Sequence, residues 1–226
     1  MYLSLFYAAK KGNVNAVKKL LNNEANVNQA DNENGITPLI IASGLGRVDI
    51  VKLLLAKGAN VNKASKEGWT PLYEASINGR ANVVKVLLNK GADVNKADKF
   101  GKTPLHGASY LGRTEVVKVL LAAPGIDVNK ADIDGRTPLY WASRDGYTGV
   151  VQALLAAPGI DVNKADKDGE TPLLWASNYG HTEVVKALLA APGIDVNKAD
   201  EEGLTPLLVT EDDEIRALLR AAGARE

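Results

Sequence analysis

Thr137-Pro138-Leu139-Tyr140-Trp141-Ala142-Ser143-Arg144-Asp145-Gly146 is followed 34 residues on by Thr171-Pro172-Leu173-Leu174-Trp175-Ala176-Ser177-Asn178-Tyr179-Gly180. The same Thr-Pro-Leu also opens at Thr37, Thr70, Thr103 and Thr205, so six copies recur at steps of 33 or 34 residues. A second marker keeps nearly the same beat at Gly12, Gly46, Gly79, Gly112, Gly146 and Gly180. A third, the asparagine of Val-Asn, falls at Asn28, Asn62, Asn95, Asn129, Asn163 and Asn197. A period of this length marks a solenoid of supersecondary units. With partial first and last copies, the 226 residues hold seven units.

Each unit reads as two helices and a turn. Thr137 can cap a helix through its hydroxyl. Pro138 suits the first helical position, where its missing N–H would have no partner anyway. The first helix runs through Leu139, Trp141 and Ala142 and stops near Gly146, which tolerates a left-handed conformation. Val150, Val151, Leu154 and Leu155 then make one apolar stripe on a second helix that ends at Pro158-Gly159. The polar stretch from Asp161 to Glu170, with Asp166, Asp168 and Gly169, reads as an extended hairpin or loop. Both helices are expected at about eight to ten residues, below the roughly 12 to 15 at which isolated helices hold in water. Stability must come from stacking, at roughly 1.5–3 kcal/mol per fully buried large aliphatic side chain.

Asp98, Gly101, Thr103-Pro104-Leu105-His106, Ala108, Gly112, Val116, Val117, Leu120 and Leu121 follow the pattern of the ankyrin repeat closely, and the chain resembles that family over essentially its whole length. The resemblance implies an all-α repeat solenoid of stacked antiparallel helix pairs joined by β-hairpin-like loops. It also implies a concave face of hairpin tips and first helices that binds another protein. The expected layout over 1–226 is a single array: an N-terminal cap unit (1–30), five internal repeats (31–199) and a shortened C-terminal cap (200–226).

There are departures from the family pattern. Serine replaces an alanine at Ser43, Ser76, Ser109, Ser143 and Ser177. Ile40, Tyr73, Tyr140, Leu174 and Leu208 stand where the pattern has His106. Ala123-Pro124-Gly125-Ile126-Asp127 is one residue longer than Lys90-Gly91-Ala92-Asp93, and Glu24 stands where Gly58 and Gly91 stand later. Thr210 runs almost directly into Glu211, so Ile215, Leu218 and Leu219 are expected to cover the last interface.

Composition narrows the chemistry. No cysteine means no disulfide, thiolate zinc site, iron–sulfur cluster or thiol nucleophile. Lysine plus arginine balance aspartate plus glutamate at 27 each, which gives no reason to expect nucleic acid or membrane as a partner. Residues 1–100 nevertheless carry net +6 and 101–226 net −6, a lengthwise asymmetry that can steer a partner at low salt. No apolar run approaches the roughly 18 to 20 residues that span a bilayer. The apolar start from Met1 to Ala9 lacks a preceding positive charge, so Leu3, Leu5, Phe6 and Ala9 read as a first helix rather than a signal peptide. Tyr2, Leu3 and Leu5 also leave room for an upstream unit. A cytoplasmic monomer is the expectation.

Catalysis finds little support. A catalytic serine is single and sits beside a base, whereas these serines are periodic and read as structural. His106 is expected to bond within the hairpin–helix junction, and His181 to cap a second helix. Asp132-x-Asp134-Gly135 and Asp166-x-Asp168-Gly169 lack the further ligands of a calcium loop and read as hairpin turns. No enzyme activity, metal or cofactor is expected.

The repeats disagree with one another on one surface. Leu-Leu-Ala-Ala-Pro-Gly-Ile-Asp-Val-Asn-Lys-Ala-Asp recurs verbatim from Leu120, Leu154 and Leu188. The units 131–164 and 165–198 differ at eight positions, six of them on the hairpin tip and first-helix face. That face is the expected partner-binding surface. In the earlier units it comprises Lys66, Glu67, Trp69, Ile77, Asn78, Lys99, Phe100 and Lys102. It continues through Tyr110, Leu111, Ile133, Arg136, Trp141, Arg144, Asp145 and Tyr147, and ends at Lys167, Glu170, Asn178 and Tyr179. Trp69 and Phe100 are placed at hairpin tips, and Trp141 and Trp175 half in the core. Aromatic and arginine side chains dominate interface energetics. The alternative is a structural array, whether a consensus-like or engineered scaffold or a fragment of a longer repeat protein, with no partner of its own.

Overall fold

Thr137 is extended (φ −93°, ψ 167°), and its hydroxyl accepts the Tyr140 amide N–H at 3.1 Å with Pro138 in the first turn. Thr37, Thr70, Thr171 and Thr205 cap in the same way. The computed structural model describes residues 4–225, and the readings on Met1, Tyr2 and Leu3 lie outside the described residues.

Among the described residues there are fourteen helices in seven consecutive pairs. They are α1 (Leu5–Lys11) with α2 (Val14–Asn22), α3 (Pro38–Gly44) with α4 (Val48–Ala56), α5 (Pro71–Ile77) with α6 (Ala81–Asn89), and α7 (Pro104–Tyr110) with α8 (Thr114–Leu121). Then come α9 (Pro138–Arg144) with α10 (Thr148–Leu155), α11 (Pro172–Asn178) with α12 (Thr182–Leu189), and α13 (Pro206–Val209) with α14 (Asp213–Ala221). First helices are shorter than expected, seven residues in α9, because the threonine cap and the left-handed Gly146 (φ 75°) bracket them tightly. Glu24 takes the same left-handed conformation (φ 60°) that Gly58 and Gly91 take in later units. A non-glycine residue there costs roughly 1–2 kcal/mol.

The chain forms two compact units. One holds residues up to Ala108 together with Ala122–Ile126; the other holds Ser109–Leu121 and residues from Asp127 onward. Within the first, α1, α3 and α5 pack in one layer and α2, α4 and α6 in a second. Within the other, α9, α11 and α13 form the first layer and α8, α10, α12 and α14 the second. The core between layers is aliphatic: Leu39, Leu54, Leu72 and Leu87 are fully buried in one unit, and Leu139, Leu154, Leu173 and Leu188 in the other. At the last pair Ile215 and Leu219 are buried, while Leu218 is only half-buried and Leu208 is 52% exposed beside the four-residue α13.

The linking segments have hairpin shape without a strand among the described residues. Two backbone bonds close such a turn, as from Asp166 N–H to the Glu170 carbonyl at 3.1 Å and from Gly169 N–H to the Asp166 carbonyl at 3.2 Å. Asp166 Oδ1 then accepts the amides of Asp168 and Glu170. Asp98, Asp132 and Asp200 repeat this pattern, which is the role of the periodic aspartate. One bond joins successive turns, such as Glu201 N–H to the Asp168 carbonyl at 3.0 Å.

The Val-Asn marker has a purpose that its spacing alone does not reveal. Asn163 Nδ2 donates to the Gly193 carbonyl at 2.7 Å, and its Oδ1 accepts the Asp195 amide at 2.9 Å. Lys198 Nζ then reaches back to the Asn163 carbonyl at 2.9 Å. Asn28 with Lys63, and Asn62 with Lys96, make the same stitch in the other unit. Each asparagine thus satisfies two backbone groups that would otherwise turn to water.

Candidate protein-interaction surface

In the first of the two units, the predicted residues fall into three settings. Lys66, Lys99 and Asn78 are exposed, as is Phe100 at 51%. Lys99 pairs with Glu67 of the preceding turn at 3.4 Å. Trp69 is not at a tip. Its carbonyl accepts the Ser65 amide to close the turn, and its half-buried ring stacks on Tyr73 at 6.5 Å. Burial first, then the Asp98 and Glu74 charges, push the Tyr73 hydroxyl up to about 12. Ile77 is half-buried against Gly107, where an added methyl would meet it at 2.5 Å. Lys102 is half-buried, with its amide on Asp98.

The other unit gathers a continuous run of rings. Tyr110 meets Trp141 edge-on at 5.2 Å, Trp141 meets Tyr140 at 5.6 Å, and Tyr140 meets Trp175 at 6.4 Å. Trp175 stacks on Tyr179 at 5.2 Å, and Tyr179 leans on His181 at 6.2 Å. Tyr110 and Tyr179 are exposed, as are Leu111, Ile133 and Tyr147. Lys167 and Asn178 are exposed too, and Asp145 is half-buried in a contact with Arg144 Nε at 2.8 Å.

Trp141 departs from its half-surface reading, being only 6% exposed. Its indole N–H donates to Asp132 Oδ2 at 3.2 Å, and the Arg144 and Arg136 guanidiniums lie 4.5 and 5.4 Å from its ring. One arginine comes from the preceding turn and the other from the end of α9 itself, and both close over the indole, so Trp141 supports the surface instead of forming it. Trp175 is half-buried, as expected, with its indole N–H on Glu170 at 3.0 Å.

Charge is concentrated beside the rings. Arg136 reaches Asp166 and Asp134, each at 3.3 Å. Burial works against its charge, but Tyr140 and the two aspartates hold its proton more tightly than usual. Burial and the Asp166 charge push the Tyr140 hydroxyl far above the ordinary phenol range. Glu170 is also pushed up, by burial and by Asp166, against opposing bonds from Trp175 and Tyr140. A raised folded-state pKa gives stability that is complete below the unfolded-state pKa and lost as pH rises through the folded one. Glu170→Gln is therefore expected to be more stable than the parent at neutral pH, by about 0.5 kcal/mol after allowing for solvent screening. The gain should vanish below the ordinary glutamate range, as urea melts on both sides of that range would show.

Among the described residues, Asp166, Asp168 and Glu170 can bring one oxygen each within 4.8 Å of one another. Asp166 already holds two turn amides and Arg136, and Glu170 holds Trp175 and Tyr140, so turn and ring contacts account for most of this group. The periodic serines are fully buried. Ser76 Oγ donates to the Leu72 carbonyl, and the other four hydroxyls have no partner within hydrogen-bond range. His106 sits at the hairpin–helix junction as expected, its Nδ1 3.1 Å from the Thr103 amide. His181 corrects its reading. It stands at the start of α12 without capping it, and its Nε2 bonds the Arg144 carbonyl at the end of α9. Tyr147 likewise packs on the glycine of the preceding pair, Gly112.

A family model described as "Ankyrin repeats (3 copies)" matches residues 5–98 and 90–166, and one described as "Ankyrin repeat" matches 168–201. The chain belongs to the ankyrin repeat family. Its fold class is accordingly the all-α ankyrin solenoid. The ankyrin repeat domain of human ASB11 is similar at 29% identity and a TM-score of 0.86, with 98% of each chain covered. The ankyrin repeat domain of Bcl-3, described as a unique member of the IkappaB protein family, is similar at 29% identity and a TM-score of 0.84, over 96% of this chain and 97% of that one. No curated protein sequence matches. Ankyrin repeat domains are in general non-enzymatic protein–protein interaction modules.

Two residues that matter to this ankyrin surface were missed in the sequence. Tyr140 is 1% exposed yet links both tryptophans. Asp166 anchors Arg136 from the next turn. The usable signal for Asp166 was its recurrence, which reads as turn chemistry only.

Proposed function

We propose that this ankyrin array binds a partner protein through its hairpin turns and first helices, without chemistry of its own and without nucleic acid or membrane. One observation carries the reading. The segment from the end of the second helix through the following loop recurs verbatim, whereas most of the varying positions coincide with the exposed aromatics Tyr110 and Tyr179 and the charged cluster around Arg136 and Glu170. Exposed aromatics beside arginines are the composition of interface hot spots. The test is affinity capture with the full chain, followed by binding measurements on Trp69→Ala, Phe100→Ala, Tyr110→Ala and Tyr179→Ala. At least one exposed-ring variant should weaken the captured partner about tenfold or more. A partner bound equally by all four would place the face elsewhere. The verbatim segments also suit a structural array, and a stably folded chain that captures nothing would favour that reading.

A further inference from the structure

Positions 136 and 170 are the same place in successive units, filled by Arg136 and Glu170. Arg136 shows how a guanidinium sits there. Its Nε meets Asp166 Oδ2 and its Nη1 meets Asp134 Oδ2, both at 3.3 Å, while its carbon lies 5.4 Å from the Trp141 ring.

One unit on, the receiving groups are kept. Asp168 stands for Asp134, Asp200 for Asp166, and Trp175 for Trp141. Asp200 is even set by the same turn bonds. Its Oδ1 accepts the amides of Glu202 and Leu204 at 2.9 and 2.8 Å, as Asp166 Oδ1 accepts those of Asp168 and Glu170. The guanidinium is replaced by a further carboxylate, and Tyr140, whose ring also faces Arg136 at 5.6 Å, by Leu174. These residues line a cleft of about 380 Å³ whose walls carry five carboxylates and no lysine or arginine. Burial first, and then the neighbouring Asp166, raise the pKa of the half-buried Glu170.

We propose that this cleft receives an arginine from an extended segment of the partner protein, its guanidinium between Asp168 and Asp200 and against Trp175. The proposal rests on the protein-binding reading above and names the chemistry of the partner. Arginine fits better than lysine because a planar fork can meet two carboxylates and stack on an indole at once, as Arg136 does. The walls also suit a peptide: Leu174, Leu204 and Val209 offer apolar surface beside the acidic groups.

The test uses the full chain with ¹⁵N label, whose three tryptophans give separate indole N–H signals. The probe is a blocked Gly-Gly-Arg-Gly-Gly peptide, compared with its citrulline and lysine versions. The arginine peptide should shift the Trp175 indole saturably and leave Trp69 unmoved. The citrulline peptide should bind at least about tenfold more weakly, because charge-assisted bonds are lost, and the lysine peptide several-fold more weakly. Glu170→Arg, which supplies the guanidinium from within, should abolish the shift. Asp168→Asn, at an exposed side chain, should weaken it several-fold and decides the matter if Glu170→Arg fails to fold. Equal shifts with arginine and lysine, no shift of Trp175, or an Asp168→Asn chain that binds as the parent does would overturn the proposal. Any of these results alongside a partner lost through Tyr110→Ala or Tyr179→Ala would leave the interaction surface standing and remove only the arginine slot.

Discussion

Replacing Leu154 by alanine is expected to lower the free energy of unfolding by about 3 kcal/mol, within the roughly 2–5 found when a fully buried leucine is truncated. Leu154 has no exposed surface, and its helix α10 packs between α8 and α12 in one unit. An eight-residue helix has little stability of its own, so these neighbours supply most of what holds α10. The loss combines the transfer energy of the removed atoms with a cavity, because close-packed surroundings relax only in part. A control sits next door: Leu155→Ala, at a half-exposed position in the same helix, should cost no more than about 1 kcal/mol. Urea unfolding followed by circular dichroism measures both. Nearest-neighbour coupling makes a further claim, that amide exchange in Leu154→Ala should speed up first in α8, α10 and α12. A uniform rise across α9 to α14 would mean that this unit unfolds as one block.

How far such features could be read from the sequence depends on the distance between partners. Thr137, Pro138 and Gly146 were legible because a cap, a first-turn proline and a left-handed stop are decided within a few residues. The apolar stripe of Val150, Val151 and Leu154 was legible for the same reason, and all three are buried. Asn163 and Lys198 were visible only as a rhythm, since each acts on backbone about thirty residues away. First-helix length was overestimated because the cap and the glycine leave room for seven residues, whereas second helices such as α10 have the expected eight. His181 was misread because the position that starts α12 also faces the end of α9, and the carbonyl there is the stronger draw. On the surface, exposure at Phe100, Tyr110 and Tyr179 followed from their place in the unit. Burial at Trp141 did not, because it requires an arginine from the preceding turn and another from the end of α9 to fold over one ring.

Trp141 is where that difference has the largest consequence. Trp141→Ala is expected to cost about 3–4 kcal/mol, the scale of a buried tryptophan truncation. The indole contributes an N–H bond to Asp132, ring contacts to Tyr110 and Tyr140, and the platform under Arg136 and Arg144. Removing it opens a cavity beside Tyr110 and Tyr140 and releases the oxygen of the buried Asp132. Both arginines then lose a cation–π partner, worth roughly 0.5–2 kcal/mol each. Trp141→Phe separates these contributions: it keeps most of the volume and a ring face but not the N–H, and should cost about 1–2 kcal/mol. The same pair separates support from contact. If Trp141 touched the partner directly, phenylalanine would weaken binding with little change in stability. As a platform, it should lose affinity only to the extent that Arg136 and Arg144 become disordered, so loss of binding and loss of stability should rise together from phenylalanine to alanine. Tyr179→Ala, at a ring that is 54% exposed, should show the opposite balance: a loss of affinity with no more than about 1 kcal/mol of stability. Equal stability losses in Trp141→Ala and Tyr179→Ala would mean that the ring run is not anchored at Trp141.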